Sequence, residues 1–216
     1  MKTVLVTGGT TRLGKAISDL LRRSGWRVIT SSHREDAPCD MVADLSRPSE
    51  AAKLYLEALR LDDGFCAIVN NAALFTGEID DMTRVNYDSP VKLTMLLAGR
   101  EGVGKCSVVN ILDCEVHSMK ELRTVESVKD AYLNTKFKLL EFTKKAACLF
   151  AQTLRVNAVS PGPVLAPTGV HEKASDTLLE NRPTAEDVAK AVLFLLESQS
   201  VTGVTIPVDS GAHLIA

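Results

Sequence analysis

The chain has 216 residues, a formal net charge of −2 and 45% hydrophobic residues. This length and composition allow a substantial buried core and exclude a disordered chain, and we expect a single domain over residues 1–216. Acidic and basic residues are interspersed and no apolar run is long enough to cross a bilayer, so the sequence argues against nucleic-acid and membrane partners.

Short apolar runs alternate with helical patterns along the chain. Strand patterns lie near residues 3–7, 27–31, 40–43, 65–69, 106–112, 154–159 and 203–208. Helical patterns lie near residues 13–24, 48–60, 85–98, 132–150 and 184–197. This alternation predicts βαβ units and an α/β fold with a mostly parallel seven-stranded sheet.

A glycine-rich segment, Thr7–Gly14, joins the first strand to the first helix. Gly8 and Gly9 permit a tight turn and the close approach of a ligand, and the N–H groups of a new helix suit a pyrophosphate. Arg12 stands where the common dinucleotide-binding fingerprint has a glycine. The segment could also be a purely structural turn.

The residues after the second strand bear on the choice of cofactor. An acidic residue at this place favours the ribose hydroxyls of NAD, but the sequence has Ser32, His33 and Arg34. A hydroxyl, an imidazole and a guanidinium suit an added 2′-phosphate, which predicts NADP(H). Glu35 and Asp36 follow at once and weaken the local positive field, and a solvated turn is the alternative interpretation.

Tyr132 and Lys136 stand four residues apart in a helical pattern and therefore share one face of the helix. A nearby cation favours the phenolate and lowers the phenol pKa from its usual value of about 10, which suits an acid that works near neutrality. Asp113 ends the apolar run upstream, and its carboxylate would act on the phenol in the opposite direction. Tyr-x-x-x-Lys also occurs on ordinary solvated helices.

These motifs follow predicted strands, and ligands bind at the carboxyl ends of the strands of such sheets. We therefore expect the motifs to gather along one edge of the sheet. The segments concerned are Thr7–Gly14, Ser31–Arg34, Asp44, Asn70–Ala73, Asp113 and Pro161–Thr168.

The five cysteines are scattered without a Cys-x-x-Cys pair, and the four histidines lack the spacing of metal ligands. Dispersed cysteines of odd number are typical of reduced thiols. The apolar run Val4–Val6 is too short for a signal peptide. The sequence thus predicts a cytoplasmic protein without a metal site.

The chain resembles the short-chain dehydrogenase/reductases and, among these, the pteridine reductases and dihydropteridine-type reductases. The resemblance covers nearly the whole chain, and Arg12 matches an arginine that is typical of the pteridine branch. It implies a doubly wound Rossmann fold that binds NADP(H). The matching segments, in the order of the family, are Thr7–Gly14, Asn70–Ala73, Val85–Asn86, Arg155–Gly162 and Val201–Gly211.

The resemblance implies catalytic roles for four residues. Tyr132 would donate a proton, and Lys136 would lower the pKa of Tyr132 and hold the nicotinamide ribose. Asn86 would support a relay water beside Lys136. Asp113 occupies the place where most of the superfamily has serine and the pteridine reductases have aspartate. The segment between Asp113 and Tyr132 is longer than usual, so Ser118 could supply a hydroxyl instead, and Asp113 could be a helix cap.

The resemblance also implies a set of cofactor-binding residues. Asp44 and Leu45 resemble a pair that contacts adenine, although Asp44 could simply cap the next helix. Val164 replaces a serine that helps hold the cofactor phosphate. The full set is Thr7, Gly8, Thr11, Arg12, Leu13, Gly14, Ser32, His33, Arg34, Asp44, Leu45, Asn71, Ala72, Ala73, Tyr132, Lys136, Pro161, Gly162 and Val164.

Phe75 is a further link to the pteridine reductases, in which an aromatic ring holds the pterin against the nicotinamide. A core phenylalanine is the alternative. Ala73 replaces a serine of those enzymes, and the segment Thr168–Arg182 is short, which implies a reduced lid. The substrate-binding residues implied are Arg12, Phe75, Asp113, Tyr132 and Leu165.

The sequence therefore predicts an NADPH-dependent reductase of a pterin or related planar heterocycle. A generic NADPH-dependent carbonyl reductase and a catalytically silent NADP-binding protein are the alternatives. The helices near 85–98 and 132–150 carry apolar residues on more than one face, and the family commonly pairs them, so we expect a homotetramer or homodimer. These apolar residues include Leu96, Leu97, Leu139, Leu140, Phe142 and Leu149.

Overall fold

The computed structural model describes residues 2–100, 106–164 and 177–215. Within these ranges seven parallel strands form one sheet in the order β3-β2-β1-β4-β5-β6-β7. The doubly wound α/β Rossmann fold predicted from the sequence is confirmed. The strands are β1 (Thr3–Thr7), β2 (Arg27–Ser32), β3 (Met41–Val42), β4 (Ala67–Asn70), β5 (Cys106–Ile111), β6 (Leu154–Pro161) and β7 (Thr205–Val208).

The helices of the described ranges are α1 (Arg12–Arg23), α2 (Glu50–Leu61), α3 (Ile79–Thr83), α4 (Ser89–Ala98), α5 (Val128–Leu149) and α6 (Ala185–Glu197). A π-helical turn, Arg84–Asp88, joins α3 to α4, and 3-10 turns span Cys114–Ser118 and Ala212–Leu214. Helix α5 begins earlier than predicted, because the Ser127 hydroxyl accepts a hydrogen bond from the Asp130 N–H and caps the helix.

The sheet is buried on both faces, as parallel sheets with crossover helices usually are. Successive side chains of β1 point to opposite faces. Val4 and Val6 pack in the core that contains Ile17 of α1 and Val192 of α6. Leu5 packs on the other face, in the core that α2, α4 and α5 cover.

The chain changes direction across the sheet at β1, which pairs with β2 on one side and β4 on the other. Such a switch point opens a cleft at the carboxyl ends of the strands. Side chains tie the two strand ends together. The Thr7 hydroxyl accepts hydrogen bonds of 3.0 Å from the N–H groups of Asn71 and Ala72.

The apolar residues that the sequence places on more than one face of α4 and α5 lie partly in the core. Leu97, Leu139 and Leu140 are buried, whereas Leu149 is 75% exposed. Leu96 and Phe142 are partly buried against the core. Within the described residues, no helix has both the length and the hydropathy to cross a bilayer.

Replacement of Gly14 should destabilise the fold, because Gly14 packs directly against the carbonyl of Gly8. A Cβ on Gly14 would overlap the Gly8 oxygen and lie 2.5 Å from Asn71 Nδ2. We expect Gly14→Ala to lower the free energy of unfolding by about 1–3 kcal/mol, as overpacked sites do, measured by urea denaturation.

Gly99→Ala is the matched control, because the nearest atom to its added Cβ lies 3.5 Å away. It should change the free energy of unfolding by less than about 0.5 kcal/mol. Equal stability of the two variants would contradict the close packing at Gly14.

Candidate active site

A cavity of about 520 Å³ lies at the carboxyl ends of the strands. It brings together most of the residues that the sequence singles out, although they are far apart along the chain. The predicted residues that line it are Gly8, Thr11, Arg12, Leu13, Gly14, Ser32, His33, Asp44, Leu45, Asn71, Ala72, Ala73, Asp113, Tyr132, Lys136, Pro161, Gly162 and Val164.

Other predicted residues lie elsewhere. Thr7, Arg34, Phe75 and Asn86 do not line the cavity. Thr7 acts on the site indirectly, by fixing the turn after β4. Leu165 falls outside the described residues, as does most of the predicted lid, at positions 168–176.

The turn from β1 to α1 forms a cradle that fits a dinucleotide pyrophosphate. Gly8 has φ +62°, and the space at Gly14 is closed to any Cβ, so glycine backbone forms part of this wall of the cavity at the start of α1, where helix N–H groups suit an anion. Arg12 has φ +47°, a left-handed conformation that is strained for a residue other than glycine. Arg12 is the first residue of α1 and lines the cavity.

Ser32, the last residue of β2, and His33, which follows it, line the cavity where the sequence predicts a 2′-phosphate. Arg34 differs from the prediction. Its guanidinium forms two hydrogen bonds to the carboxylate of Asp36, at 3.0 and 2.6 Å, on an exposed turn. The acidic neighbour holds Arg34 outside the cavity.

Asp44 lines the cavity and is not the cap of α2, which begins at Glu50. Its carboxylate accepts hydrogen bonds from the Ser46 hydroxyl and N–H, at 2.7 and 3.1 Å. These bonds, the hydroxyl first, hold the pKa of Asp44 below its usual range. The alternative interpretation of Asp44 as a helix cap is therefore wrong.

Tyr132, Lys136 and Asp113 meet at the other end of the cavity. Asp113 follows β5, and its carboxylate lies close enough to the Tyr132 phenol to raise the pKa of that phenol. The Lys136 ammonium donates to the Ile111 carbonyl at 2.9 Å and lies 5.6 Å from the centroid of the Tyr132 ring. A phenol, a carboxylate and an ammonium thus share one water-poor pocket.

Burial controls the protonation of these three groups. It raises the pKa of Tyr132, and the neighbouring Asp113 carboxylate raises it further. Burial likewise raises the pKa of Asp113 and lowers the pKa of Lys136 to about 8. That the Lys136 ammonium lowers the pKa of Tyr132 stays a prediction, and the net shift follows burial first and the Asp113 carboxylate second. Tyr132 is therefore a protonated phenol near neutrality, which is the form of a proton donor.

The Asp113 carboxylate lies beside Tyr132 and also accepts a hydrogen bond of 3.0 Å from the Glu115 N–H, by which it caps the turn Cys114–Ser118. The cap and the cavity wall are therefore compatible roles. Ser118, considered as a substitute hydroxyl, is exposed, donates to the Glu115 carbonyl and does not line the cavity.

Phe75 and Asn86 border the site from outside. The Phe75 ring packs edge-on against Tyr132 with centroids 4.9 Å apart, and it is 52% exposed, which excludes a core role. The buried Asn86 side chain clamps the backbone of Leu74, accepting from its N–H and donating to its carbonyl, both at 2.8 Å. Asn86 also donates to the Thr135 hydroxyl at 3.2 Å. It therefore fixes the segment next to Phe75.

Sequence reasoning missed Leu74, Asp81 and Val85, which also line the cavity. Asp81 lies on α3 and Val85 in the π-helical turn. A helix of five residues is too short to show a hydrophobic period, and a π-turn departs from the helical period. The sequence therefore carried no signal that Asp81 would line the cavity, and it singled out Val85 only as part of the Val85–Asn86 motif.

The comparisons with known proteins agree with this geometry. Residues 10–213 match a family model of the short-chain dehydrogenases/reductases that is described as enoyl-(acyl carrier protein) reductase. A solved structure, FolM alternative dihydrofolate reductase 1 from Brucella canis complexed with NADP, is 28% identical, with a TM-score of 0.84 over 99% of this chain and 94% of that chain.

Two curated relatives are similar over nearly their whole length. Carbonyl reductase family member 4 of Danio rerio is 27% identical over 99% of both chains. Dihydromonapterin reductase of Escherichia coli is 24% identical over 98% of this chain and 96% of its own. The family model covers almost the entire sequence, and the resemblance drawn from the motifs is confirmed. The chain belongs to the short-chain dehydrogenase/reductase family of oxidoreductases.

Proposed function

We propose that the protein is an NADPH-dependent reductase of a pterin or a related planar heterocycle. The observation that carries this proposal is the Asp113 carboxylate, which lines the cavity together with Tyr132 and raises the pKa of its phenol. A carboxylate–phenol pair can deliver protons to ring nitrogens, and the exposed ring of Phe75 beside Tyr132 offers a stacking surface for a flat substrate. The similarity to dihydromonapterin reductase and to the FolM reductase supports the same substrate class.

The residues of the cavity fit NADPH along its length. The N-terminus of α1, with Arg12, would hold the pyrophosphate, and Ser32 and His33 would hold the 2′-phosphate. Lys136 would reach the nicotinamide ribose. When bound, NADPH supplies a hydride for a ring carbon of the substrate.

Proton transfer is the task of the chain itself. Tyr132 holds a proton on its phenol oxygen near neutrality and gives it to the substrate atom that becomes basic on reduction. The phenolate is then reprotonated, and Asp113, whose pKa is raised by burial, is the adjacent group able to carry that proton. Lys136 stabilises the transient phenolate by its charge.

A generic NADPH-dependent carbonyl reductase is the second candidate. The similarity to carbonyl reductase family member 4 favours it, and Tyr132 and Lys136 would serve either reaction. Asp113 and Phe75 distinguish the two candidates, because reduction of a simple ketone needs neither a carboxylate for ring nitrogens nor a stacking surface.

We also propose that residues 1–216 form one domain that assembles as a homodimer or homotetramer in the cytoplasm. Apolar side chains on the two helices that the family pairs support the assembly. Met95 of α4 is 54% exposed and Leu149 of α5 is 75% exposed. Such surface is costly to leave in water.

The enzyme should prefer NADPH to NADH, because Ser32 and His33 offer polar groups to a 2′-phosphate. His33→Ala should narrow the ratio of kcat/KM values for the two cofactors, with NADH kinetics as the internal control. Arg34→Ala should narrow the ratio less, because the Arg34 guanidinium is bound to the Asp36 carboxylate on an exposed turn and must leave it to reach the phosphate. Equal kcat/KM values for both cofactors in the wild type would contradict the assignment.

Tyr132→Phe should lower kcat by about 10²–10⁴-fold, because it removes the proton donor. NADPH affinity, measured by fluorescence titration, should stay close to that of the wild type. Tyr55→Phe is the matched control, because the Tyr55 hydroxyl is buried in the core and has no hydrogen-bond partner among the described residues. A Tyr132→Phe variant with more than about a tenth of the wild-type activity would exclude Tyr132 as the acid.

Asp113→Ser and Phe75→Ala should separate the two candidate substrates. Asp113→Ser should depress turnover of a dihydropterin and spare that of a simple ketone. Phe75→Ala should raise KM for the dihydropterin by about two- to tenfold, the equivalent of a lost aromatic contact. The test is to measure kcat and KM of both variants with one dihydropterin and one simple ketone.

Phe194→Ala is the control for Phe75→Ala, since Phe194 is equally exposed, at 53%, and lies on α6. It should leave both reactions unchanged. Unchanged dihydropterin turnover in Asp113→Ser would remove the basis of the pterin assignment and leave the carbonyl reductase.

A further inference from the structure

The molecule has a second depression, of about 480 Å³, besides the candidate active-site cavity. Among the described residues, the two have no lining residue in common. Three parts of the chain form the second depression: residues 116–120 of the segment after Asp113, residues 137–144 of α5, and residues 203–205, where the chain enters β7. Its volume lies within the range of small-molecule sites, which is about 300–1,000 Å³.

The floor of this depression is apolar. Val116 and Leu140 are buried and belong to the hydrophobic cluster that also contains Leu112. The Phe137 ring is partly buried and packs against the same cluster. Because the floor is part of a packed core, it keeps its shape, and an apolar group that replaces water on it gains hydrophobic stabilisation.

The rim of the depression carries two exposed lysines and one carboxylate. Lys144 and Glu141 lie on α5 and form an exposed ion pair of 2.9 Å. Lys120 forms no ion pair with any residue that the structure describes. With a neutral His117, the two ammonium groups exceed the one carboxylate by a single positive charge. The rim therefore favours a ligand with one negative charge.

We propose that this depression binds a small carboxylic acid with a flat apolar body. The body lies on the floor against the Phe137 ring, and the carboxylate is held by the ammonium groups of Lys120 and Lys144. A phosphate dianion fits less well, because its second charge is not matched and meets the Glu141 carboxylate. Neither lysine lines the active-site cavity, so the site is separate from the proposed NADPH site.

A bound acid has a physical link to the candidate active site. Val116 and His117, which line the depression, lie on the turn Cys114–Ser118, and the Asp113 carboxylate caps this turn. His117 also ties the turn to β6, since its Nε2 lies 2.7 Å from the Ser160 hydroxyl. A ligand that contacts both the turn and α5 stabilises the closed arrangement of the turn.

Binding of 2-naphthoate tests the ligand class, because this probe joins a flat apolar body to one carboxylate. Equilibrium dialysis with the NADPH-saturated protein at about 50 mM salt should give a Kd of about 1 mM or lower, which is ordinary for a ligand of this size. Acetate lacks the body and 2-naphthalenemethanol lacks the charge. Acetate should bind at least about fivefold more weakly, and the alcohol about two- to fivefold more weakly.

Substitutions on the rim test the role of charge. Lys120→Gln and Lys144→Gln should each raise the Kd of 2-naphthoate by about two- to fivefold, the effect of an exposed charge pair. Glu141→Gln should lower the Kd by a similar factor, because it removes the opposing carboxylate and frees Lys144. Lys138→Gln is the matched control and should leave the Kd unchanged, since Lys138 is exposed on the same helix and does not line the depression.

Hydrogen exchange locates the bound probe. At a 2-naphthoate concentration of ten times Kd, the amides of residues 114–120 should exchange up to about tenfold more slowly, with the amides of α1 unchanged as internal reference. Phe75→Ala should leave the Kd unchanged, because Phe75 packs against Tyr132 at the other cavity. Binding that does not saturate, a Kd that Phe75→Ala raises, or a Kd that none of the rim variants changes would overturn the proposed site.

Discussion

The contact between the β1–α1 turn and the end of β4 is the constraint on which the site depends. Gly14 packs on the Gly8 carbonyl with no room for a Cβ, and the Asn71 amide donates to the carbonyls of Thr7 and Gly8 at 2.9 and 3.1 Å. These contacts hold the first turn of α1 beside the carboxyl end of the sheet, where the cleft opens. Because the backbone itself forms this wall, an anion can approach the N–H groups of the helix directly. The strained φ of Arg12 belongs to the same constraint.

At the opposite end of the cavity, burial of side chains sets the protonation of the site, whereas close backbone packing shapes the first end. Tyr132, Asp113 and Lys136 each shift towards their neutral forms, because a water-poor site disfavours charge. The phenol of Tyr132 therefore keeps its proton near neutrality, which suits a reaction that must deliver a proton in step with a hydride. The direction of the Tyr132 shift shows that spacing on a helix establishes proximity, while depth in the fold establishes protonation.

The sequence predicts the strands, five of the helices and most of the cavity wall, because hydrophobic periods and glycine turns act locally. The sequence alone did not predict which partner each polar side chain binds. Arg34 has the right charge for a phosphate, yet Asp36 two positions later binds it. Asn86 has the right place in the family motif, yet its amide clamps the backbone of Leu74. In both cases the partner was visible in the sequence, but the choice between partners depends on geometry that only the folded chain provides.

A carboxylate at position 113 needs more hydrogen-bond donors around it than a serine would. Buried charge must be met by hydrogen bonds, so the turn that supplies the Glu115 N–H must not move. Separate ties hold this long segment in place: Lys129 pairs with Glu115 at 2.8 Å, and Asn134 binds the N–H and carbonyl of Arg123 at 2.8 and 2.9 Å. His117 adds the tie to β6. The unusual length between Asp113 and Tyr132 therefore provides anchoring points that hold the turn after Asp113 in place.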